Sequence, residues 1–309
     1  MDGIIIMILY VLGNVAKDSF YYLENFPRTG ETIISGNTIK DIGGKGFNQL
    51  IAASRLGVEV SFWTYTGSDE TSEKIFEILD SEEISTENIF KQNNHSDESI
   101  IFINNEGKNY IVSNCINVLG IDMDYVKNMI STMKKEDVLL LQGNLKKEVT
   151  LFCVTEAFRK KIKIFLNASP ICFDYKEIFP FVETLIINEI ENKKLSDSDS
   201  TEIGNKILLD FGISNVITTQ GEKGLLYSSS KDDFFFESPK KNVVDTTGAG
   251  DIFCGILTAS ICLGKNYKES CLNAMNIASL SVNRYGTYKS IPSKKEVFLN
   301  LNFNNKEES

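Results

Sequence analysis

One histidine, one tryptophan and five prolines are spread over 309 residues, and no apolar run is long enough to span a bilayer. The lone histidine, His95, lies in the polar stretch KQNNHSDES (91–99). A three-histidine zinc site is therefore excluded, and a Ser-His-Asp triad would depend on this one residue. A surface loop is expected there. The six cysteines (Cys115, Cys153, Cys172, Cys254, Cys262 and Cys271) include no C-x-x-C pair. Their apolar surroundings predict buried thiols in a reduced, cytoplasmic chain rather than a disulfide framework. Basic charge is also scarce: 32 Lys and Arg against 42 Asp and Glu leave a net charge of −10. Bulk charge thus gives no attraction to nucleic acid or an anionic membrane. The apolar run at 4–12 has no basic flank, and Asp2 stands where a signal peptide carries Lys or Arg. A buried first strand is expected instead. With 42% hydrophobic and 24% charged residues, the chain has the composition of a folded globular protein and not of a disordered one.

From about residue 130, short apolar runs alternate with amphipathic stretches. The runs are VLLLQG (138–143), IKIFLNASP (162–170), TLIIN (184–188) and NVITTQG (215–221). Between them lie helical patterns at 147–160 and 200–211. Fully apolar strands separated by helices predict βαβ units and a mainly parallel sheet covered on both faces. Further helices are expected at 45–57, closed by Gly57, and at 249–263 and 268–283, with a strand at 58–67. No repeat or linker divides the chain, so one α/β domain over residues 1–309 is expected, with FNNKEES as a frayed tail. Two segments break the rhythm. Residues 14–41 and about 98–113 alternate polar and apolar, and the second contains the turn signal NNEGKN. They predict a small antiparallel sheet acting as a lid on the core.

Two glycine-rich segments carry chemistry. In DTTGAGD (245–251), Gly248, Ala249 and Gly250 lead straight into a helix pattern. Small residues let backbone N–H groups face a ligand, and the helix dipole adds positive potential, which makes an anion hole suited to a transferring phosphoryl group. Asp251 follows in the first turn, where a carboxylate can take a proton from a hydroxyl nucleophile. In DIGGKGFNQLIAASRLG (41–57), Gly43 and Gly44 precede Lys45 and Asn48 at a helix start, where both can reach a polar ligand. The Walker A spacing is absent. Taken singly, each segment also has an ordinary structural use as a glycine turn before a capped helix.

Taken together they resemble the two signatures of the ribokinase/PfkB family of carbohydrate kinases. GGKGFNQLIAASRLG is similar to its N-terminal signature and DTTGAGDIFCGIL to its C-terminal one. ENFPRTGETI, NASP, NEIE, TTQGEKG and RYGTYKSIP follow in the family's order. The resemblance implies a three-layer αβα fold with a small β-sheet lid. It implies an ATP-dependent kinase acting on a sugar primary hydroxyl, with Mg2+ and a potassium-type ion as cofactors. Asp251 would be the general base, and the amides of Gly248, Ala249 and Gly250 the anion hole. Asp18, Gly44, Lys45 and Asn48 match sugar contacts. Asn188 and Glu191 match the magnesium and phosphate motif. Thr219, Gly221 and Gly250 match the nucleotide site, with Asn276 beside the adenine position. Asp245, Thr247, Ser281, Arg284, Gly286 and Ser290 match the monovalent-cation site.

The chain also departs from the family pattern. Ala16-Lys17-Asp18 stands where Asn-x-Asp is usual, so one polar contact is missing. Gln142-Gly143-Asn144 replaces Q-x-E, so an acidic acceptor becomes the amide of Asn144, either a sugar contact or a strand-end residue. Met275 takes an adenine-side Asn position. D-ribose is the expected substrate. A ketohexose, a 2-keto-3-deoxy sugar, deoxyribose or a nucleoside is the alternative on the same fold, and a silent sugar-binding regulator is the alternative of another class. The segments SFYYL and IIFI are expected to leave apolar lid surface that a homodimer would cover.

Overall fold

The apolar run near the start of the chain becomes a strand in the middle of a sheet, as fully apolar strands do when both faces are covered. The computed structural model describes residues 7–105, 109–241 and 243–304. Residues 4–6 of that run, the centre of the NNEGKN turn and residues 305–309 of the tail lie outside the described residues. In chain order the strands are β1 (Ile8–Leu12), β2 (Ala16–Leu23), β3 (Asn37–Gly43), β4 (Glu59–Thr66), β5 (Ile89–Lys91), β6 (Asp97–Asn104) and β7 (Asn109–Ser113). They continue with β8 (Val138–Gln142), β9 (Lys163–Asn167), β10 (Thr184–Asn188), β11 (Asn215–Thr219), β12 (Gly224–Ser229) and β13 (Asp233–Glu237). The helices are α1 (Lys45–Leu56), α2 (Glu70–Ser81), α3 (Ile116–Gly120), α4 (Met123–Thr132) and α5 (Lys147–Arg159). After them come α6 (Glu189–Ser196), α7 (Thr201–Asp210), α8 (Ala249–Cys262), α9 (Tyr267–Ser281) and α10 (Lys294–Asn304).

The large sheet has the order β13-β12-β11-β10-β9-β8-β1-β4-β5. Every pair from β11 to β5 is parallel. Each buried strand supplies both faces. In β8, Val138 and Leu140 join one core with residues of α1, α8 and α9, while Leu139 and Leu141 join another with α4, α5 and α7. This is the expected three-layer αβα arrangement. One edge departs from expectation, because β12 and β13 form an antiparallel hairpin on β11. The last strand alternates between exposed and half-buried residues, as an outer strand does.

The small sheet has the order β3-β2-β6-β7. Its two hairpin pairs are antiparallel as expected, but β2 and β6 pair in parallel. The sheet is mixed because β2–β3 and β6–β7 are separate excursions of the chain. The long path between them, through α1, β4, α2 and β5, permits parallel pairing. The exposed apolar residues also differ from those expected. Phe20 is fully buried, and the outward apolar surface is Tyr110, Ile111 and Val112 of β7 with Ile100 of β6. His95 is on the surface as expected. Of the cysteines, only Cys153, Cys254 and Cys271 are buried; Cys115 and Cys262 are half-buried and Cys172 is exposed. All six are free thiols.

Candidate active site

Parallel sheets gather ligands at the carboxyl ends of their strands. Here β8 to β11 end together, and register sets Gln142 beside Asn167 and Asn188 beside Thr219. The first turns of α1 and α8 meet over this edge. Their approach depends on Gly255 of α8, since a Cβ there would lie 2.3 Å from the Gln49 carbonyl oxygen. At the start of α1, Phe47 N–H donates to the Asn14 carbonyl (3.0 Å), which ties the helix to the end of β1. At the start of α8, Gly248 caps the helix in the left-handed conformation, and Asp251 sits in the first turn. The first N–H groups of a helix have no acceptor within it, so this terminus presents donors to its surroundings.

Asp251 is 7% exposed and receives three side-chain donors from α1. Lys45 Nζ lies 3.5 Å and Gln49 Nε2 3.2 Å from Oδ1, and Asn48 Nδ2 lies 3.3 Å from Oδ2. Burial opposes the charge on Lys45, but the carboxylates of Asp251 and Glu191 outweigh it and hold the ammonium above its ordinary range. The arrangement is a buried carboxylate, a cation and a helix N-terminus at one point. It can hold a polyanion and accept a proton beside it.

Asp18 of β2 lies deeper and is 3% exposed. Thr287 Oγ1 donates to its Oδ2 at 2.8 Å. Burial raises its carboxyl to about 7; the hydroxyls of Thr287 and Ser99 pull it down, while Asp41 and Asp251 push it further up. Asp41 is its cross-strand partner and holds the 286–289 loop through the N–H groups of Thr287 and Lys289, both at 3.0 Å. Gly43 makes room for this cluster, because a Cβ there would lie 1.9 Å from Asp18 Oδ2. Gly44, with φ 98°, follows as the cap of α1.

Buried acceptors are left unsatisfied nearby: Asn48 Oδ1 on α1 and Asn144 Oδ1 just after β8 have no hydrogen-bond partner, while Gln142 Oε1, also without one, is turned toward the backbone of Gly13. Buried acceptors of this kind suit a ligand rich in hydroxyl donors. The small sheet reaches the site through Asp18 and through Asn109, whose Nδ2 lies 3.4 Å from Thr247 Oγ1 beside the α8 cap.

The remaining expected residues divide in two. Asp245 is buried, its Oδ1 accepts from Thr247 N–H (2.8 Å), and its Oδ2 has no partner, so burial raises its carboxyl. That bare oxygen fits a monovalent cation. Ser281 and Ser290 instead give their hydroxyls to the carbonyls of Ala278 and Thr287, both at 2.8 Å, and Arg284 pairs with Glu296. Each of these hydroxyl oxygens keeps lone pairs that can still face a cation, whereas Gly286 offers only its backbone. Asn188 and Glu191 form a reciprocal capping box at the start of α6. Glu191 nevertheless lies close enough to Lys45 to raise it, and a single carboxylate with phosphate oxygens and waters suits magnesium. Among the described residues, no cluster of three or more His, Cys, Asp or Glu forms a metal cage. Thr219 ends β11 and Gly221 opens the next turn, while Met275 and Asn276 are half-buried on α9.

Four residues of this site were not singled out from sequence: Gln49, Asn167, Asp41 and Thr287. Gln49 carried no separate signal, standing beside Asn48 between Phe47 and Leu50.

The pattern that defines the pfkB family carbohydrate kinases matches residues 9–294. The chain is 32% identical over 302 residues to a ribokinase of Mus musculus, covering 94% of each protein. It is 26% identical over 305 residues to a deoxyribokinase of Salmonella typhi, covering 96% of this chain and all of that one. The crystal structure of a ribokinase from Cryptococcus neoformans in complex with ADP superposes with a TM-score of 0.83 at 26% identity, covering 95% of this chain and 99% of that one. Matched along almost its whole length in sequence and in fold, with a buried carboxylate at the glycine-led helix where two signatures meet, the chain belongs to the pfkB family of carbohydrate kinases.

Proposed function

We propose that this sugar kinase transfers the γ-phosphoryl group of ATP to a primary hydroxyl of D-ribose, with Asp251 as the general base. The observation that carries the reading is the convergence of Lys45, Asn48 and Gln49 on the buried Asp251 beside the α8 N-terminus. The sugar oxygen attacks the γ-phosphorus, its proton passes to Asp251, and the bond to the bridging oxygen breaks with its electrons going to ADP. The N–H groups of Gly248 and Gly250 would face the charge on the phosphoryl oxygens, that of Ala249 would have to leave the Thr246 carbonyl (3.2 Å) to join them, and Lys45 adds a cation. Asp18, Asn48 and Asn144 orient the sugar. Glu191 and Asn188 suit magnesium, which supplies positive charge at the phosphates when bound. Asp245 suits a potassium-type ion. Thr219, Gly221 and Asn276 line the nucleotide.

In this reading the chain is one domain, and the small sheet is a lid that excludes water when sugar binds. The exposed Tyr110, Ile111 and Val112 of β7 support a homodimer through that lid. Six free thiols support a cytoplasmic location, and no described helix is long and apolar enough to cross a membrane.

A second reading, deoxyribose as substrate, is favoured by one observation. Ala16 is buried and apolar where a polar contact was expected, so one sugar hydroxyl has no partner there. ATP consumption across a panel of ribose, deoxyribose, ketohexoses and nucleosides tests both. The highest kcat/KM should fall on ribose; a higher value on deoxyribose selects the second reading, and turnover with none refutes the function.

A further inference from the structure

We propose that Gln49 is a positioning residue that, with Lys45, fills Oδ1 of Asp251 and so leaves Oδ2 as the oxygen that receives the sugar proton. This rests on the kinase reading above. Gln49 is fully buried. Its Nε2 donates to Asp251 Oδ1 and to Asn167 Oδ1, both at 3.2 Å, and its Oε1 accepts from Gln142 Nε2 at 2.9 Å. A primary amide has two N–H donors, and both are engaged.

The direction of this amide is fixed from a distance. Asn167 Nδ2 donates to the Ile186 carbonyl oxygen at 2.9 Å. A backbone carbonyl only accepts, so Asn167 must turn its nitrogen to Ile186 and its oxygen to Gln49. Gln49 must then turn its nitrogen to Asn167 and Asp251 and its oxygen to Gln142. Gln142, in turn, must present its nitrogen. One main-chain carbonyl in β10 thereby sets the polarity of three side chains. A reversed Gln49 would place its oxygen against the Asp251 carboxylate and Asn167 Oδ1, and its nitrogen against that of Gln142. Each of those clashes is costly in a site closed to water.

The two oxygens of Asp251 therefore differ. A carboxylate has about four acceptor positions, two on each oxygen. Oδ1 holds two donors, Lys45 and Gln49, whereas Oδ2 holds only Asn48. The open position is on Oδ2. During transfer, the hydroxyl proton moves to Oδ2 as the sugar oxygen bonds to the γ-phosphorus and the electron pair of the broken P–O bond leaves with ADP. Gln49 touches neither sugar nor phosphate and acts through Asp251.

Steady-state kinetics with the sugar that the wild type phosphorylates fastest tests this, using Gln49→Met, Gln142→Met and Gln142→Glu. Met keeps the length and packing of Gln49 without its donors. Gln49→Met should lose about 10- to 100-fold in kcat, the scale of a misplaced reacting group. KM for sugar and ATP should stay within about twofold of wild type, with kcat corrected for folded fraction. Gln142→Glu places an acceptor where a donor stood and favours the reversed Gln49. It should lose kcat like Gln49→Met, whereas Gln142→Met, which only removes the partner, should lose far less. A Gln49→Met variant keeping more than half of wild-type kcat overturns the assignment. So does a loss confined to KM, or a Gln142→Glu variant no slower than Gln142→Met. A wild type that phosphorylates no sugar overturns the kinase reading and this assignment together, which separates the two failures.

Discussion

Replacing Asp18 with asparagine should stabilise the ligand-free protein while disabling it. Asp18 is almost fully buried, and its carboxyl is raised from an ordinary 3.8 to about 7, first by burial and then by Asp41 and Asp251. The folded chain therefore keeps a proton that the unfolded chain gives up near pH 4. Between about pH 4 and pH 7 the folded state binds more protons, so stability falls as pH rises through that interval and this group adds no further change above about pH 8. The displacement corresponds to about 4 kcal/mol at most. The amide of the Asp18→Asn variant carries no charge, and its oxygen can still accept from Thr287 Oγ1, so the variant avoids that loss. Urea unfolding without ligand should find Asp18→Asn more stable than wild type by about 2–4 kcal/mol at pH 8, by no more than about 1.5 kcal/mol at pH 5, and nearly equal to it only below about pH 4. Asp245, also raised by burial, is present in both proteins and cancels in the difference, whereas Asp41 faces Asp18 across the strands and its relief from that charge is part of the difference measured. The same variant should raise the sugar KM by at least about tenfold, since hydrogen bonds to a charged group contribute about 1.5–3 kcal/mol. A stability difference that is the same at pH 8 and pH 5, or a variant less stable than wild type at pH 8, would refute the reasoning.

Asp251→Asn should leave ATP binding close to wild type and lower kcat by at least about 100-fold, measured by coupled assay and nucleotide titration; a variant above half of wild-type kcat removes Asp251 from the base role. Potassium should raise activity at fixed magnesium, and Asp245→Asn should abolish that increase, because Asp245 Oδ2 is the buried oxygen without a partner. Equal rates in potassium and in a bulky organic cation would contradict it. Light scattering at micromolar concentration should give a dimer mass, and Ile111→Asp on the exposed face of β7 should shift it to monomer. A fully active monomeric wild type would end that proposal.

The layers of the fold were readable in sequence because parallel strands covered on both faces are apolar without interruption, as Val138–Gln142 shows. The direction of pairing in the small sheet was not, since β2 and β6 meet only after the chain has passed through the core. Asp251 stood out through the local glycine turn before its helix. Gln49 did not, because its partners Asn167 and Asp251 lie 118 and 202 residues away. The pattern at Asn188 and Glu191 had two readings in sequence, and its local one, a helix cap, is fully realised in the structure. Ser281 and Ser290 likewise had two readings, and the local one, a hydroxyl donated within the same turn, is present in the structure.

The bond between Thr287 and Asp18 joins positions 269 residues apart. During synthesis β2 leaves the ribosome early, and its buried carboxyl lacks the Thr287 hydroxyl until nearly the whole chain has followed. A nascent chain can thus build most of its sheet before it has a working centre, because α8 and the 286–289 loop arrive late. A proteolytic cut that frees the segment after α9 would remove Thr287 and the two amides on Asp41, and would damage the site at the opposite end of the chain. No division of the sequence leaves one half with a complete centre.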